Sequence, residues 1–298
     1  MAKLLGKDAC VCRDSGSWAS PAHIPIIGAR DIKINRKPSG MFDSTDRESA
    51  STIVVATQIP TRQSAEVTFG ALWNGGAGLT ALRNAFAAGT AIRLAALHKL
   101  PTNGGKGLRG DWLVKKFGLK FPLAEGQPID ISLVPHGLYT NAVATYTDAS
   151  VSAGTAETQA DKKLGSSASL NDDSDAPITA ARDFSFSAEW ECEKSDDRGV
   201  EFETFMPTQL KISAEAEFIW DEANPQLAAF RTAFDAKSPI ILSMMDGAYA
   251  TTGSWGIKAG WAVADFPTEA NLKAGQIVKV KLEPHGNAAD PLEFVTIS

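Results

Sequence analysis

The residues in this 298-residue chain that could do chemistry are few and do not assemble into a reacting set. Asn74-Gly75-Gly76-Ala77-Gly78 stands before a helical pattern, where a glycine-rich loop could cradle a phosphate on free backbone N–H groups. It lacks the lysine and hydroxyl of a P-loop and the glycine spacing of a dinucleotide fingerprint, so a glycine-rich helix entry accounts for it better. Asn103-Gly104-Gly105-Lys106-Gly107 has a lysine but no Ser or Thr after it, and reads as a turn. Of four histidines, His136 and His285 close equivalent strands. Neither has an acid or nucleophile repeated beside it, which suits a turn or interface role rather than general base catalysis. His23 and His98 have no partner in sequence, and no Ser-His-Asp or Cys-His pattern stands out. Asp172-Asp173-Ser174-Asp175 lacks EF-hand spacing and reads as a solvated acidic stretch, with calcium binding the weaker option. Cys10 and Cys12 lie two apart and share a face if extended. A bridge between them would be strained, and a zinc site would need two more ligands. No cofactor or metal is expected, and no catalytic residue is assigned.

Stepping out to the elements that would position such groups, the chain says nearly the same thing twice. Gly126-Gln127-Pro128-Ile129-Asp130-Ile131-Ser132-Leu133-Val134-Pro135-His136-Gly137 returns as Gly275-Gln276-Ile277-Val278-Lys279-Val280-Lys281-Leu282-Glu283-Pro284-His285-Gly286. Trp112, Val114, Phe117 and Leu123 match Trp261, Val263, Phe266 and Leu272, and Gly107 matches Gly256. Leu79, Leu82, Arg83, Phe86, Ile92 and Leu94 match Leu227, Phe230, Arg231, Phe234, Ile240 and Leu242. Asp46-Arg47 matches Asp197-Arg198, and Ala29-Arg30-Asp31 matches Ala181-Arg182-Asp183. A repeat of this period sets the architecture before any local motif does. It makes residues 1–139 and 181–298 two domains, joined by a linker over 140–180 that is rich in Ala, Ser, Thr and Asp.

Each copy opens with alternation (Ile32, Ile34; Phe184, Phe186) that reads as a strand. Further strands follow over Ser51–Thr57 with Ala65–Phe69, and over Val200–Phe205 with Leu210–Ile219. The period then changes. Leu79, Leu82 and Phe86 fall on one helical face, as do Leu227, Phe230 and Phe234. Asn224 and Pro225 supply an N-cap and first turn to the second helix. Ile92–Leu97 and Ile240–Met245 read as buried strands, then Trp112–Phe117 and its copy, then the Pro-His-Gly strand. The expected fold class is mainly β: two tandem antiparallel β-sandwich or barrel domains, each with one packed α-helix. Asn141–Thr147 is a candidate for supplying the second copy with a counterpart of the Ala9–Cys12 strand.

The composition is that of a globular chain, and no apolar run approaches the roughly 20 residues of a membrane span. The first residues lack the apolar core and cleavage site of a signal peptide, so reduced thiols in a cytoplasmic product are expected. The net charge of −6 argues against a module that holds nucleic acid by its phosphates. It suits a wall that DNA slides past.

Asp43-Ser44-Thr45-Asp46-Arg47 is the segment to pick for function, read either as an exposed polar loop or as a contact arm. It offers carboxylates and an arginine fork to a neighbour, with Met41 and Phe42 as apolar anchors. A strand, a long arm with an Asp-x-Thr-x-Arg-like segment, further strands, one amphipathic helix and an apolar strand together resemble the tail tube proteins of long-tailed bacteriophages. The resemblance covers nearly the whole chain, once per copy. The second copy keeps only Asp197-Arg198 of the arm and lacks its threonine. What the resemblance implies is a non-enzymatic virion protein of the phage tail, assembled in the host cytoplasm. Six sandwich domains per ring would be supplied by three chains, a homotrimer with pseudo-sixfold symmetry, and stacked rings would form a channel for DNA ejection. Met41, Phe42, Asp43, Thr45, Asp46, Arg47, Asp197 and Arg198 would be inter-ring or inter-subunit contacts. Its partners would be itself, other tail proteins (tape measure, terminator or baseplate components) and transient double-stranded DNA without specific binding. Two other classes remain open to the sequence. A duplicated carbohydrate-binding sandwich would need an exposed aromatic platform. An enzyme sited between the halves would need unmatched polar residues converging there.

Overall fold

The computed structural model describes residues 9–43, 58–101, 104–146, 152–153, 163–195, 199–221, 223–267, 275–286 and 292–297. The first half contains β1 (Cys10–Asp14), β2 (Ala22–Pro25), β3 (Arg30–Asp43), β4 (Gln58–Leu72), α1 (Ala77–Ala88), β5 (Ile92–Leu97), β6 (Gly107–Phe121), β7 (Pro128–Pro135), β8 (Ala144–Tyr146) and β9 (Ser152–Ala153). The second contains β10 (Ser169–Asn171), β11 (Ala181–Ser195), β12 (Thr204–Ile219), α2 (Pro225–Ala236), β13 (Ile240–Met245), β14 (Trp255–Asp265), β15 (Ile277–Pro284) and β16 (Glu293–Thr296). The fold is mainly β, with one helix per half. Among the described residues, the strand ladders are antiparallel except the short β2–β9 pair, and isolated parallel bridges join Gln63 to Phe202 and His136 to Phe205.

The two halves repeat each other in pairing as well as in order. β3–β4–β7–β6 is the strand order in the first and β11–β12–β15–β14 in the second. In both, the long sixth-type strand has two limbs. The first limb of β6 pairs β5 and β8, and its second pairs β7. The first limb of β14 likewise pairs β13 and β16, and its second pairs β15. β10 pairs β13 as β1 pairs β5, through Ser169↔Met245 and Cys10↔Leu97. The counterpart of the Cys10–Cys12 strand is therefore Ser169–Asn171. Asn141–Thr147 instead carries β8, which completes the first copy. Ser51–Thr57 lies outside the described residues.

The helices form where the period predicts. Asn224 caps α2, its Oδ1 accepting from the Gln226 and Leu227 amides at 2.9 and 3.3 Å, and Pro225 follows. This satisfies two of the donors a helix start leaves open. In α1 the carboxamide of Asn74 takes the Gly76 amide at 2.8 Å. One continuous core joins both halves, and Trp112 and Trp261 are fully buried in it. Each indole Nε1 donates to a carbonyl of the neighbouring strand, Leu94 and Leu242, at 3.2 Å.

Candidate assembly interface

The halves meet edge to edge. The second limb of β6 pairs β11 from Lys116↔Glu189 to Phe121↔Phe184. This makes a single antiparallel sheet of eight strands, β3–β4–β7–β6–β11–β12–β15–β14, which is one four-strand order written twice. Among the described residues, the outer edge of β3 and the β14 edge beyond Trp261 on the β13 side carry no strand partner. The β3 edge is the position equivalent to the joined edge of β11, whereas of the counterpart of the joined stretch of β6, residues 265–270, only Asp265 belongs to β14 and 268–270 lie outside the described residues. Such rows of backbone donors and acceptors are templates for pairing with another chain.

Alternation gives this sheet two different faces. Val278, Val280 and Leu282 of β15, with Ala214, Ala216 and Phe218 of β12, point into the core under α2. The intervening residues form the open face. Register sets Glu217 opposite Lys279, Glu215 opposite Lys281 and Ser185, and Lys116 opposite Glu189 and Ser132. The same face continues through Asp130, Thr68 and Lys33. Acidic and basic groups alternate on it. It therefore presents no single-sign field to a polyanion.

Beyond the shared edge, the second half grips the first with side chains. Trp190 on β11 lies over the end of α1, its Nε1 donating to the Phe86 carbonyl at 2.9 Å. Gly89, the left-handed C-cap of α1 (φ 59°), lies under that indole, and a Cβ there would stand 3.3 Å from it. Phe205 and Glu203 make backbone bonds to Gly137 (2.7 Å) and Gln63 (2.8 Å). The Pro-His-Gly turn of the first copy is thus covered, and His136 is buried with its Nδ1 accepting from the Leu138 amide at 2.8 Å. Glu201 receives Arg36 at 3.2 Å and the Thr145 hydroxyl at 2.6 Å, while Arg36 lies over Phe202.

The strongest of these contacts is a buried carboxylate. Asp246 follows β13, and its Oδ2 accepts from Trp73 Nε1 at 2.6 Å and Lys163 Nζ at 2.8 Å. Its Oδ1 accepts from the Trp255 amide at 2.7 Å. Gln127, the second letter of the repeated strand motif, donates to the Asp246 carbonyl at 3.0 Å. Around it Trp255 and Phe294 of the second copy pack on Trp73, Phe117 and Phe86 of the first.

At the far end of the second copy, the equivalent positions are less covered by the described residues. The aromatic trio Trp73–Phe117–Phe86 recurs as Trp220–Phe266–Phe234 with similar ring spacing. Phe86 is fully buried, whereas Phe234 is 38% exposed. His285 is only partly covered, unlike His136.

Only three of the residues singled out for an arm lie among the described residues. Met41, Phe42 and Asp43 are the last residues of β3, opposite Pro60, Ile59 and Gln58. Thr45, Asp46, Arg47, Asp197 and Arg198 lie outside the described residues. β11 and β12 run past β15 before their turn, and Trp190, Glu203 and Phe205 in that extension lie against the first copy, while β3 and β4 run past β7.

Other polar clusters are internal. Asp14 and Arg109 form a buried ion pair, with both Nε and Nη2 on Asp14 Oδ2 at 2.9 and 2.6 Å, and Trp18 covers the guanidinium. No spacing in the sequence announced it, because the partners are 95 residues apart. The Cys10 and Cys12 sulfurs lie 3.4 Å apart without a disulfide. Donating to the Cys10 sulfur and burial both push the Cys12 thiol up, so it stays protonated. Among the described residues, no group of three His, Cys, Asp or Glu side chains could hold a metal ion. None of their helices is long and apolar enough to cross a membrane.

No family model matches the chain, and no curated protein does. Among solved structures, it is similar to a chain in "Virion of native gene transfer agent (GTA) particle", at 14% identity and a TM-score of 0.34. The match covers 47% of this chain and 96% of that one. It is also similar to a chain in "Tail of empty GTA particle computed with helical refinement, C6 symmetry", at 16% identity and a TM-score of 0.36. That match covers 46% of this chain and 96% of the other.

Proposed function

We propose that this chain is a structural subunit of a phage-type tail tube, three copies of which close into a ring of six β-domains. The observation that carries the reading is the β6–β11 junction, because it joins two copies of one four-strand order head to tail and leaves the β3 edge, the counterpart of the joined edge of β11, without a strand partner among the described residues. A head-to-tail contact must either close into a ring or propagate. Antiparallel pairing of the second copy's last edge, from Asp265 at the end of β14, with β3 of the next chain would continue the strand order. With the sixfold repetition that the resemblance to tail tube proteins implies, two domains per chain close after three chains. Open edges of this kind would otherwise invite uncontrolled association.

In this ring the mixed-charge face of the eight-stranded sheet lines the channel, and the helices pack outside it. Alternating Lys and Glu give DNA no continuous basic track, so the polymer passes without sequence-independent capture. The long hairpins, with Met41, Phe42, Asp43, Thr45, Asp46 and Arg47 in one copy and Asp197 and Arg198 in the other, are the contacts between stacked rings. Tape measure, terminator and baseplate components are the remaining partners, and the virion tail, assembled in the host cytoplasm, is the location. Trp112 and Trp261 are fully buried, so the repeated tryptophans offer no platform for a sugar. Sedimentation equilibrium tests the reading. A species of three 31.6 kDa chains is expected as the smallest closed assembly, and a stable dimer of chains would rule out closure after three.

A further inference from the structure

We infer that the C-terminal end of α2, with the half-exposed ring of Phe234, is a socket for the β3–β4 hairpin of a second copy of this chain, with Pro38 as the residue that enters it. This rests on the ring reading above and adds to it a contact outside the strand edges.

The socket is defined by comparison within the chain. At α1, Phe86 ends the helix face, Gly89 caps it, and Trp190 of the second copy's hairpin closes over both. At α2 the equivalents are Phe234 and Lys237, and no hairpin covers them among the described residues of the same chain. The residue that would play the part of Trp190 follows from register. Ile34 faces Val67 in one hairpin and Phe186 faces Ala214 in the other. Counting four residues on from each gives Pro38 and Trp190. Pro38 is exposed on β3, the strand whose outer edge is unpaired among the described residues.

The two pairs are matched in size, which chance similarity does not explain. Where the incoming residue is Trp190, the cap is glycine, because a Cβ at position 89 would press the indole at 3.3 Å. Where the incoming residue is proline, the cap is Lys237, which keeps its Cβ despite a left-handed φ of 51°. A non-glycine residue there is disfavoured, and the smaller proline leaves room for it. Phe234 gains an apolar cover from a rigid ring that loses little entropy on docking. The occupant is a second copy rather than an unrelated protein, because the contact continues the edge pairing already made between the halves.

The test is photo-crosslinking in assembled protein, with p-benzoylphenylalanine placed at position 234, which is exposed enough to tolerate it. The expected product is an inter-chain link whose peptide maps to the β3–β4 hairpin around Pro38. Closed rings that form but link elsewhere, or not at all, overturn the socket and leave the ring reading standing. Failure of the parent protein to assemble removes both. A size-swap provides a second measurement. Pro38→Trp alone should weaken ring formation about tenfold or more by clashing with the Lys237 Cβ, and adding Lys237→Gly should restore it. Equal assembly by the single and double variants would overturn the pairing of Pro38 with Lys237.

Discussion

Replacing Asp246 tests whether the two copies form one cooperative unit. The carboxylate is 1% exposed and accepts three hydrogen bonds, two from groups outside the second copy: Trp73 Nε1 and Lys163 Nζ. In Asp246→Ala the indole N–H of Trp73 and the amide of Trp255 lose their acceptor while remaining buried. Each orphaned donor costs about 1–3 kcal/mol. Lys163 is partly exposed and can turn to water, so its loss adds little. The expected total is about 3–5 kcal/mol, the range for breaking a buried charged contact from one side. For a domain of this size that lowers Tm by roughly 10 °C. Asp246→Asn keeps one acceptor oxygen and should lose about half as much. Urea unfolding followed by tryptophan fluorescence measures the difference. A double-mutant cycle with Trp73→Phe isolates the contact between copies, and its coupling should be at least about 1 kcal/mol. A loss under about 1 kcal/mol for Asp246→Ala, or a cycle that adds without coupling, would refute the idea that this carboxylate latches the halves.

Trp112→Ala and Trp261→Ala should each cost about 3–5 kcal/mol, since both rings are wholly buried; a thermal shift near zero in either contradicts the packing. His23 is buried with neither ring nitrogen hydrogen-bonded among the described residues. Burial pushes its pKa below the ordinary value, with Asp14 opposing and Arg109 adding to the shift. The unfolded ring takes its proton near pH 6.5 and the folded one only at lower pH, so stability falls as pH drops through that window. His23→Leu should flatten this part of the curve, and identical acid limbs for parent and variant would show that the ring titrates normally. Arg47→Ala or Asp46→Ala should weaken ring stacking while leaving the protein folded, read by tube length in electron micrographs; variants that stack as well as the parent remove the arm from the account.

The duplication, both helices and the buried tryptophans were legible because they depend on local period and on matched positions. Asn224-Pro225 could be read as a helix start for the same reason. The junction was not legible. Whether β6 pairs β11 depends on a register between segments about seventy residues apart, and nothing in either strand states it. Phe234 shows the consequence. It matches Phe86 in sequence and in helical face, so it reads as core, but the cover over Phe86 comes from Trp190 and Phe294 of the other copy. The strand at Ser169–Asn171 was missed within a stretch whose small polar residues read as linker. It is recognisable only through its pairing with β13. Among chemical groups, the Asp14–Arg109 pair and Asp246 were invisible because their partners are brought together by tertiary packing alone.

Negative-stain electron microscopy of concentrated and dilute protein tests ring closure most directly. The account predicts rings with six lobes from three chains, enclosing a channel, and stacks of such rings at higher concentration. A monodisperse monomer at every concentration, with no ring or tube in any field, would contradict it.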